Sequence, residues 1–437
     1  MTGQLETYFS RLRRGQPWRW QGQVVESVGQ TIESAGPLAS VGECCEIHDQ
    51  FERVHLAEVI GFRGAHVLTM PVENTEGIRF GDAVESLGRR PEFEVGPGLM
   101  GRVLNALGEP IDEREPPRLA STLPLDGLVR TPLEREPIRT PLGTGIRAID
   151  GLLTVGRGQR VGIFGGSGVG KSTLIGMMTR NTEADITVVG LVGERGREVG
   201  EFLEDSLGVE GRARSVVVVS TSDQSPLMRM RAALAATTAA EYFAAQGKHV
   251  LLVLDSLTRF AMAAREIGLA AGEPPTNKGY TPSVFSRLAR LVERTGNFRV
   301  GSITAFYTVL MEGDDQQDPL VDAVRALLDG HIVLSRALAA EGWYPPIQVL
   351  DSISRLMPAV AESSHRDEAA LARRLMAVYA RSEDLVRIGA YKPGADEDLD
   401  RALGARGALR GFLTQDAGEQ MHFGDCVRRL SALAAEI

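Results

Sequence analysis

The stretch Gly165-Gly166-Ser167-Gly168-Val169-Gly170-Lys171-Ser172 decides the fold of this chain. It fits the pattern G-x-x-x-x-G-K-[ST], in which the N–H groups of a glycine-rich loop surround phosphate oxygens. One apolar run, 161–164, precedes this loop, and a second, 174–178, follows it. The two runs predict the strand and the helix that such a loop connects, with Thr173 in the first turn of the helix.

Two side chains of this loop have predicted roles of their own. Lys171 is one of four lysines in a chain that otherwise uses arginine. A compact ammonium group fits between phosphates where a planar guanidinium does not. We therefore expect Lys171 to contact the β and γ phosphates and Ser172 to ligate Mg²⁺. The alternative is a glycine-rich turn that holds no ligand.

Two carboxylates are candidates to act on the bound phosphates. Asp255 ends one apolar run and Glu194 follows another, so both belong at the carboxyl edge of a sheet, where open α/β sheets bind ligands. Asp255 is predicted to hold Mg²⁺, and Glu194 to polarise the attacking water. In the alternative interpretation, Asp255 caps the helix that begins near Ser256, and Glu194 forms an ion pair with Arg195 or Arg197.

The composition of the 437 residues excludes several classes of protein. With 43% hydrophobic and 24% charged residues, the chain has the make-up of a soluble globular protein of about three domains. A net charge of −9 disfavours a bulk nucleic-acid binder. Cys44, Cys45 and Cys426 fit neither a disulfide framework nor a zinc site, so we expect a cytoplasmic protein. No signal peptide is expected, and no apolar run reaches the roughly 20 residues that cross a bilayer.

The pattern of the chain predicts five segments. Residues 1–20 form an amphipathic segment that either docks on a partner or frays. Residues 21–90 alternate short β-branched runs with turns, which is typical of a small antiparallel barrel with strands at 24–32, 44–47, 56–60, 65–69 and 83–86. Residues 91–140 are a proline-rich connection, 141–362 an α/β domain with a parallel sheet, and 363–437 a helical C-terminal domain.

Several motifs together resemble the ATPases of bacterial type III protein export, which are relatives of the catalytic subunit of rotary ATP synthases. Besides the glycine-rich loop, these motifs are 180–185, Gly193-Glu194-Arg195-Gly196-Arg197-Glu198, Asp255-Ser256-Leu257-Thr258-Arg259-Phe260, 301–307, 312–315 and Asp351-Ser352-Ile353-Ser354-Arg355. The resemblance extends from about residue 20 to the C-terminus. It implies a RecA-like P-loop core with a parallel sheet, preceded by a small N-terminal β-barrel and followed by a helical domain, in a homohexameric ring.

The resemblance also implies roles for three further residues. Arg355 stands where the family has an arginine finger, which enters the site of the neighbouring subunit. Tyr344 aligns with the aromatic residue that stacks on adenine, and Phe412 is expected to close the other side of the base. The residues alone leave alternatives open, because Arg355 could pair with Asp351 and the two aromatic rings could belong to the core.

The function implied by the resemblance is that of an ATP-hydrolysing motor subunit, with ATP and Mg²⁺ as ligands. Glu194 argues for hydrolysis, and the stretches 165–171, 177–178 and 272–275 favour the flagellar form over the injectisome form. The expected partners are a regulatory stator-like protein at the N-terminal segment, membrane proteins of the export gate, and export substrates with their chaperones, at the inner membrane. The alternatives are an injectisome ATPase, a catalytic-type subunit of a rotary ATP synthase, a ring helicase and a non-hydrolysing ring scaffold.

Overall fold

The computed structural model describes residues 20–73, 75–127, 130–311 and 318–437. The predicted N-terminal segment, apart from Trp20, and the stretch 312–315 lie outside the described residues. The chain forms two compact units. Of the described residues, the first unit comprises those up to 92 together with 224–228 and 263–283, and the second comprises the others. Among the helices within these ranges, none combines the length and the apolar character needed to cross a membrane.

The first unit contains a closed barrel of six antiparallel strands. The strands are β1 (Gln21–Val28), β2 (Thr31–Ala35), β3 (Cys44–His48), β4 (Val54–Arg63), β5 (His66–Pro71) and β6 (Ala83–Ser86), and their order around the barrel is β1-β2-β5-β4-β3-β6. Alternate side chains fill the interior, among them Val24, Ile32, Cys45 and Val84, each at most 1% exposed. The structure confirms the predicted barrel.

The predicted barrel strand 24–32 is wrong, because it is divided between two strands. β1 and β2 form an antiparallel hairpin in which Val28 pairs with Thr31. Gly29, in the turn, has a φ of 60°, a left-handed conformation that glycine adopts at little cost. The run of β-branched residues on both sides of the turn conceals the reversal, and Gly29 is the signal that could have revealed it.

The second unit is built on a sheet of mainly parallel strands. Four short strands among the described residues lie outside this sheet: β7 (Glu92–Val95), β9 (Ser121–Pro124), β10 (Pro141–Leu142) and β11 (Val155–Gly156). The strands of the sheet are β8 (Val103–Asn105), β12 (Arg160–Gly165), β13 (Ile186–Glu194), β14 (Ser215–Thr221), β15 (His249–Asp255), β17 (Ser302–Leu310), β18 (Gly330–Val333) and β19 (Ile353–Ser354). Their order is β19-β18-β12-β17-β15-β13-β14-β8, and β16 (Gly296–Asn297) pairs with β17. The structure confirms the predicted α/β core with its parallel sheet.

The central strands have the apolar character of a sheet that is covered on both faces. All seven residues of β15 are buried, as are the first eight residues of β13. Such continuous burial is typical of parallel strands, whereas a half-exposed strand would alternate. β8 adds a further parallel strand beside β14. It lies in the segment 91–140, and its three residues are too few to produce a recognisable strand pattern.

The helices were predicted as a class rather than one by one. They are α1 (Arg147–Leu152), α2 (Lys171–Asn181), α3 (Gly196–Glu201), α4 (Gly208–Ala213), α5 (Pro226–Ala245), α6 (Leu257–Ala270), α7 (Pro282–Glu293), α8 (Pro319–Leu327), α9 (Arg336–Ala340), α10 (Met357–Val360), α11 (Ser363–Arg387), α12 (Glu397–Leu413) and α13 (Phe423–Glu436). A π-helix, Phe202–Leu207, separates α3 from α4, and short 3-10 helices lie at Pro97–Leu99, Pro132–Glu134, Asn277–Gly279 and Val349–Asp351. The last three α-helices form the expected helical C-terminal region, and their apolar side chains join the core of the second unit.

Candidate nucleotide-binding site

The glycine-rich loop connects β12 to α2 at the carboxyl edge of the sheet. Gly165 is the last residue of β12, and Lys171 is the first residue of α2. Gly168 and Gly170 have φ values of 76° and 88°, which favour glycine over residues with a Cβ atom. Ser167, Gly168, Ser172 and Thr173 are exposed, whereas Val169 is anchored in the core. The loop therefore presents its polar atoms to solvent at the start of a helix, where an anion is stabilised.

Lys171 is buried within this loop and is already directed to its centre. Its side chain is 9% exposed, and Nζ donates hydrogen bonds to the carbonyl oxygens of Gly165, at 3.2 Å, and Gly166, at 2.7 Å. Burial lowers the pKa of Lys171, and the carboxylates of Asp255 and Glu194 oppose that effect. The ammonium group is thus held in a pocket where a phosphate would complete its coordination.

Asp255 lies beside the loop because parallel strands end at the same edge. It is the last residue of β15, is 6% exposed, and accepts a 2.5 Å hydrogen bond from Oγ1 of Thr308 on β17. Burial raises the pKa of this carboxyl, while the Thr308 hydrogen bond and the Lys171 charge lower it. The helix-capping alternative is not supported, because the Ser256 hydroxyl, not Asp255, accepts the N–H of Arg259.

Glu194 lies at the end of β13, the strand that pairs with β15. Burial, the charge of Asp255 and a hydrogen bond with Glu198 raise the pKa of Glu194 to about 8. The same hydrogen bond lowers the pKa of Glu198. Two carboxyl groups that share a proton in this way form a site able to accept and release a proton near neutral pH.

The ion-pair alternative for Glu194 is not supported by its neighbours. Arg197 pairs with Glu201 at 2.7 Å, and Arg195 lies 3.9 Å from Glu198. Neither guanidinium forms an ion pair with Glu194 among the described residues. The carboxyl of Glu194 is therefore left for the site.

Sequence reasoning missed four side chains that act on this site: Glu198, Arg259, Thr308 and Arg336. Glu198 and Arg259 stand within the motifs 193–198 and 255–260 quoted above, and those motifs are the signal that could have pointed to them. Arg259 lowers the pKa of Glu194 and of Asp255, and its Nε is buried without a hydrogen-bond partner in the described part of the chain. No sequence signal points to Thr308, whose position depends on strand register.

The side chain of Arg336 lies against the glycine-rich loop at Gly166. A Cβ atom at Gly166 would overlap its guanidinium group. The close approach explains why a glycine is needed at position 166, and the charge of Arg336 lowers the pKa of Lys171. Arg336 is therefore a further cation, besides Lys171 and Arg259, that could stabilise phosphate charge.

The two aromatic residues predicted to hold the adenine lie in different environments. The Tyr344 ring is 51% exposed, and its edge lies 3.9 Å from where a Cβ atom would stand on Gly170, so it borders the loop. Phe412 is 2% exposed and belongs to the core, where its ring would contact a Cβ atom on Gly151 at 2.9 Å. The structure does not place Phe412 where it could close over a base, because neither face of its ring is free.

Arg355 lies at the other edge of the sheet from the loop. Its backbone N–H donates to the carbonyl of Asp329, whose own N–H donates to the carbonyl of Arg160, the first residue of β12. Six strand residues, about 16 Å at 3.3 Å per step, separate that edge from the loop. Arg355 is exposed, and no ion pair joins it to Asp351 within the described ranges. It cannot reach the phosphate loop of its own chain.

Oxygen atoms suited to Mg²⁺ are present next to the loop. Mg²⁺ prefers carboxylate, hydroxyl and phosphate oxygens. The exposed hydroxyl of Ser172 and the buried carboxylate of Asp255 supply two of these ligand types, and burial of Asp255 makes an uncompensated charge costly. These two residues therefore fit a Mg²⁺ ion that also binds the phosphates of a nucleotide.

Comparisons with known proteins cover nearly the whole chain. Residues 24–88 match the profile of the ATP synthase alpha/beta family, beta-barrel domain, residues 145–354 that of its nucleotide-binding domain, and residues 361–432 that of the T3SS EscN ATPase C-terminal domain. A flagellum-specific ATP synthase of Treponema pallidum is 52% identical, over 98% of this chain and 96% of its own. A type 3 secretion system ATPase of Xanthomonas euvesicatoria is 47% identical, over 95% and 94%.

Solved structures agree with these sequence relationships. The assembled ATPase EscN of the enteropathogenic E. coli type III secretion system superposes with a TM-score of 0.89 at 43% identity, covering 94% of this chain and all of that chain. EscN in complex with its central stalk EscO superposes with a TM-score of 0.87 at 42% identity and the same coverage.

Proposed function

The chain belongs to the family of flagellum-specific and type 3 secretion ATPases, and on this basis we propose that it is the ATP-hydrolysing motor subunit of a flagellar type III export apparatus. One observation carries the hydrolytic part of the proposal. Lys171, Glu194 and Asp255 come from three separate strands or loops, and their charges act on one another at one edge of one sheet. The flagellar assignment rests on the sequence stretches that favour that form and on flagellum-specific relatives.

The residues of the loop bind and orient the triphosphate. The N–H groups of the loop and the start of α2 surround the β and γ phosphates, while Lys171 exchanges its carbonyl partners for phosphate oxygens. Ser172 and Asp255 would hold Mg²⁺, which neutralises charge that develops on the phosphates. Tyr344 would stack on the adenine, a role that its exposed ring beside the loop supports.

Glu194 positions the attacking water and removes its proton. As the water oxygen bonds to the γ phosphorus, the bond from that phosphorus to the ADP oxygen breaks and a proton passes to the Glu194 carboxylate. Once Glu194 carries this proton, it donates a hydrogen bond to the Glu198 carboxylate, and this bond stabilises the protonated form. A general base of this kind contributes about 10²- to 10⁴-fold in rate.

Replacement of Glu194 tests hydrolysis directly. We expect Glu194→Gln to lower phosphate release at least about 10²-fold while Mg-ATP binding persists. Glu201→Gln is the matched control, because Glu201 is a glutamate close by in sequence that pairs with Arg197 at the surface. Unchanged phosphate release in Glu194→Gln would favour the non-hydrolysing scaffold.

The ring is proposed from the position of Arg355. An exposed guanidinium without an ion-pair partner in the described ranges, at the edge remote from its own loop, suits a finger that reaches the loop of a second copy in a homohexamer. Rings mixed from Arg355→Ala and Lys171→Ala subunits are expected to regain part of the turnover that each lacks alone. Assembled mixed rings with no regained turnover would refute the shared site.

The proposed partners bind the N-terminal segment and the assembled ring. We expect residues 1–20 to bind a regulatory stator-like protein, and the ring to act with a stalk, the export gate, substrates and chaperones at the inner membrane. EscN, which resembles this chain, is known in complex with a central stalk. Deletion of residues 2–14 should abolish binding of the stator-like protein and preserve basal hydrolysis. Disruption of the gene should remove flagellar filaments, whereas loss of injectisome secretion with intact motility would identify the injectisome form.

A further inference from the structure

A second polar pocket lies at the amino edge of the same sheet, remote from the glycine-rich loop. We call it the amino-edge pocket and define it by Arg139, Arg157, Asp185, His249, Phe298 and Ser302; its volume is about 330 Å³. Asp185 immediately precedes β13, and His249 and Ser302 begin β15 and β17. About 20 Å of strand, at 3.3 Å per residue, separates His249 from Asp255 at the other end of β15.

His249 is a buried polar side chain with one ring nitrogen unsatisfied. The residue is 8% exposed, and Nδ1 shares a 2.5 Å hydrogen bond with Oγ of Ser302. Its Nε2 is buried and has no partner among the described residues. Burial and the charge of Arg157 lower the pKa of His249 to about 4, so the ring is neutral at physiological pH. A buried ring nitrogen without a partner carries a desolvation cost that a ligand would remove.

The charges of the pocket favour an anion. Nε of Arg157 is also buried without a partner in the described part of the chain. The carboxylate of Asp185 accepts a 2.7 Å hydrogen bond from the backbone N–H of His249. Among the described residues, it forms no ion pair with Arg139 or Arg157. Two guanidinium groups against one occupied carboxylate leave the pocket with a net positive charge, and guanidinium groups bind tetrahedral oxyanions well.

We propose that the amino-edge pocket binds a phosphate-sized oxyanion, held by the guanidinium groups of Arg157 and Arg139 and by Nε2–H of His249. In that arrangement Nδ1 of His249 accepts the hydroxyl proton of Ser302, which leaves the proton on Nε2 for the ligand. The site is separate from the glycine-rich loop and uses none of its residues. The bound anion would contact the starts of β13 and β15, the two strands that carry Glu194 and Asp255 at their other ends.

Titration with inorganic phosphate tests the proposal while Mg-ADP occupies the glycine-rich loop. Calorimetry on the full chain should show one phosphate per chain, and Arg157→Gln should weaken that binding about ten- to a hundredfold, as expected for loss of a charge-assisted hydrogen bond. His249→Asn should weaken it as well. Arg299→Gln is the matched control, because it removes an exposed guanidinium near the pocket, 71% exposed and 3.9 Å from Glu136, that does not line it.

These variants distinguish a specific phosphate site from weak attraction of phosphate to any surface arginine. Retained Mg-ADP binding shows that each variant is folded, since Arg157 and His249 lie outside the nucleotide site. A crystal soaked with selenate should show an anomalous peak in the pocket of the unaltered chain and none there in Arg157→Gln. Absence of phosphate binding beyond the glycine-rich loop, or equal weakening by Arg299→Gln, would overturn the proposal.

Discussion

The carboxyl pair Glu194 and Glu198 makes the rate of hydrolysis depend on pH in a predictable direction. Burial, the charge of Asp255 and the hydrogen bond with Glu198 raise the pKa of Glu194 to about 8, from an ordinary value near 4.5. Only the ionised carboxylate can take a proton from water, so activity should increase as pH increases through this pKa. Glu198→Gln removes one charge and the shared proton, so it should lower the pKa of Glu194 and shift the profile to lower pH.

The magnitude follows from the ionised fraction. With a pKa of about 8, roughly one Glu194 in eleven is ionised at pH 7, and about nine in ten at pH 9. The kcat/KM for Mg-ATP, which reports the free enzyme, should therefore increase about tenfold from pH 7 to pH 9. Since complete ionisation at pH 7 gives at most about an elevenfold gain, Glu198→Gln should increase kcat/KM at pH 7 by a factor below that ceiling.

Steady-state phosphate release between pH 5.5 and 9.5 measures both profiles at constant ionic strength. The surface variant Glu201→Gln controls for loss of a nearby glutamate, and its profile should match that of the unaltered chain. If kcat/KM of the unaltered chain increased mainly below pH 6, Glu194 could not be a general base with a raised pKa, and the assignment would be refuted. A Glu198→Gln profile that is unmoved, or displaced to higher pH, would refute the shared proton.

Three further substitutions test other parts of the second unit. Asp150→Ala leaves the buried N–H and hydroxyl of Thr144 and the N–H of Gly145 without their acceptor, and urea unfolding should show a loss of about 3 kcal/mol or more, with Asp150→Asn less affected. Tyr344→Ala should weaken binding of a fluorescent ATP analogue about five- to a hundredfold while Tyr344→Phe retains it, because stacking needs the ring but not the hydroxyl. Thr308→Val removes the hydrogen bond to Asp255 and raises the pKa of that carboxyl, so it should weaken Mg²⁺-dependent ATP binding increasingly as the pH is lowered, whereas Thr308→Ser should not.

The sequence by itself determined the class of fold and the core of the site. The spacing of glycines, lysine and serine in 165–172, flanked by a strand and a helix, identifies a phosphate loop. The glycines allow backbone N–H groups to surround phosphate oxygens, and the lysine balances the phosphate charge. Asp255 and Glu194 were found for a related reason, since the ends of apolar parallel strands lie at one edge.

Tertiary structure alone decided which other side chains contact the site at the carboxyl edge of the sheet. Thr308 reaches Asp255 through the register of β15 and β17, and Arg336 reaches Gly166 from a helix that begins 170 positions later in the chain. Phe412 is in the core because α12 packs its ring against Gly151, a contact that local pattern does not encode. Spacing reports neighbours within one strand or one helical turn, whereas contacts between distant segments depend on how whole elements pack. The amino-edge pocket is of the second kind, since its walls come from the starts of several strands that only the folded sheet brings together.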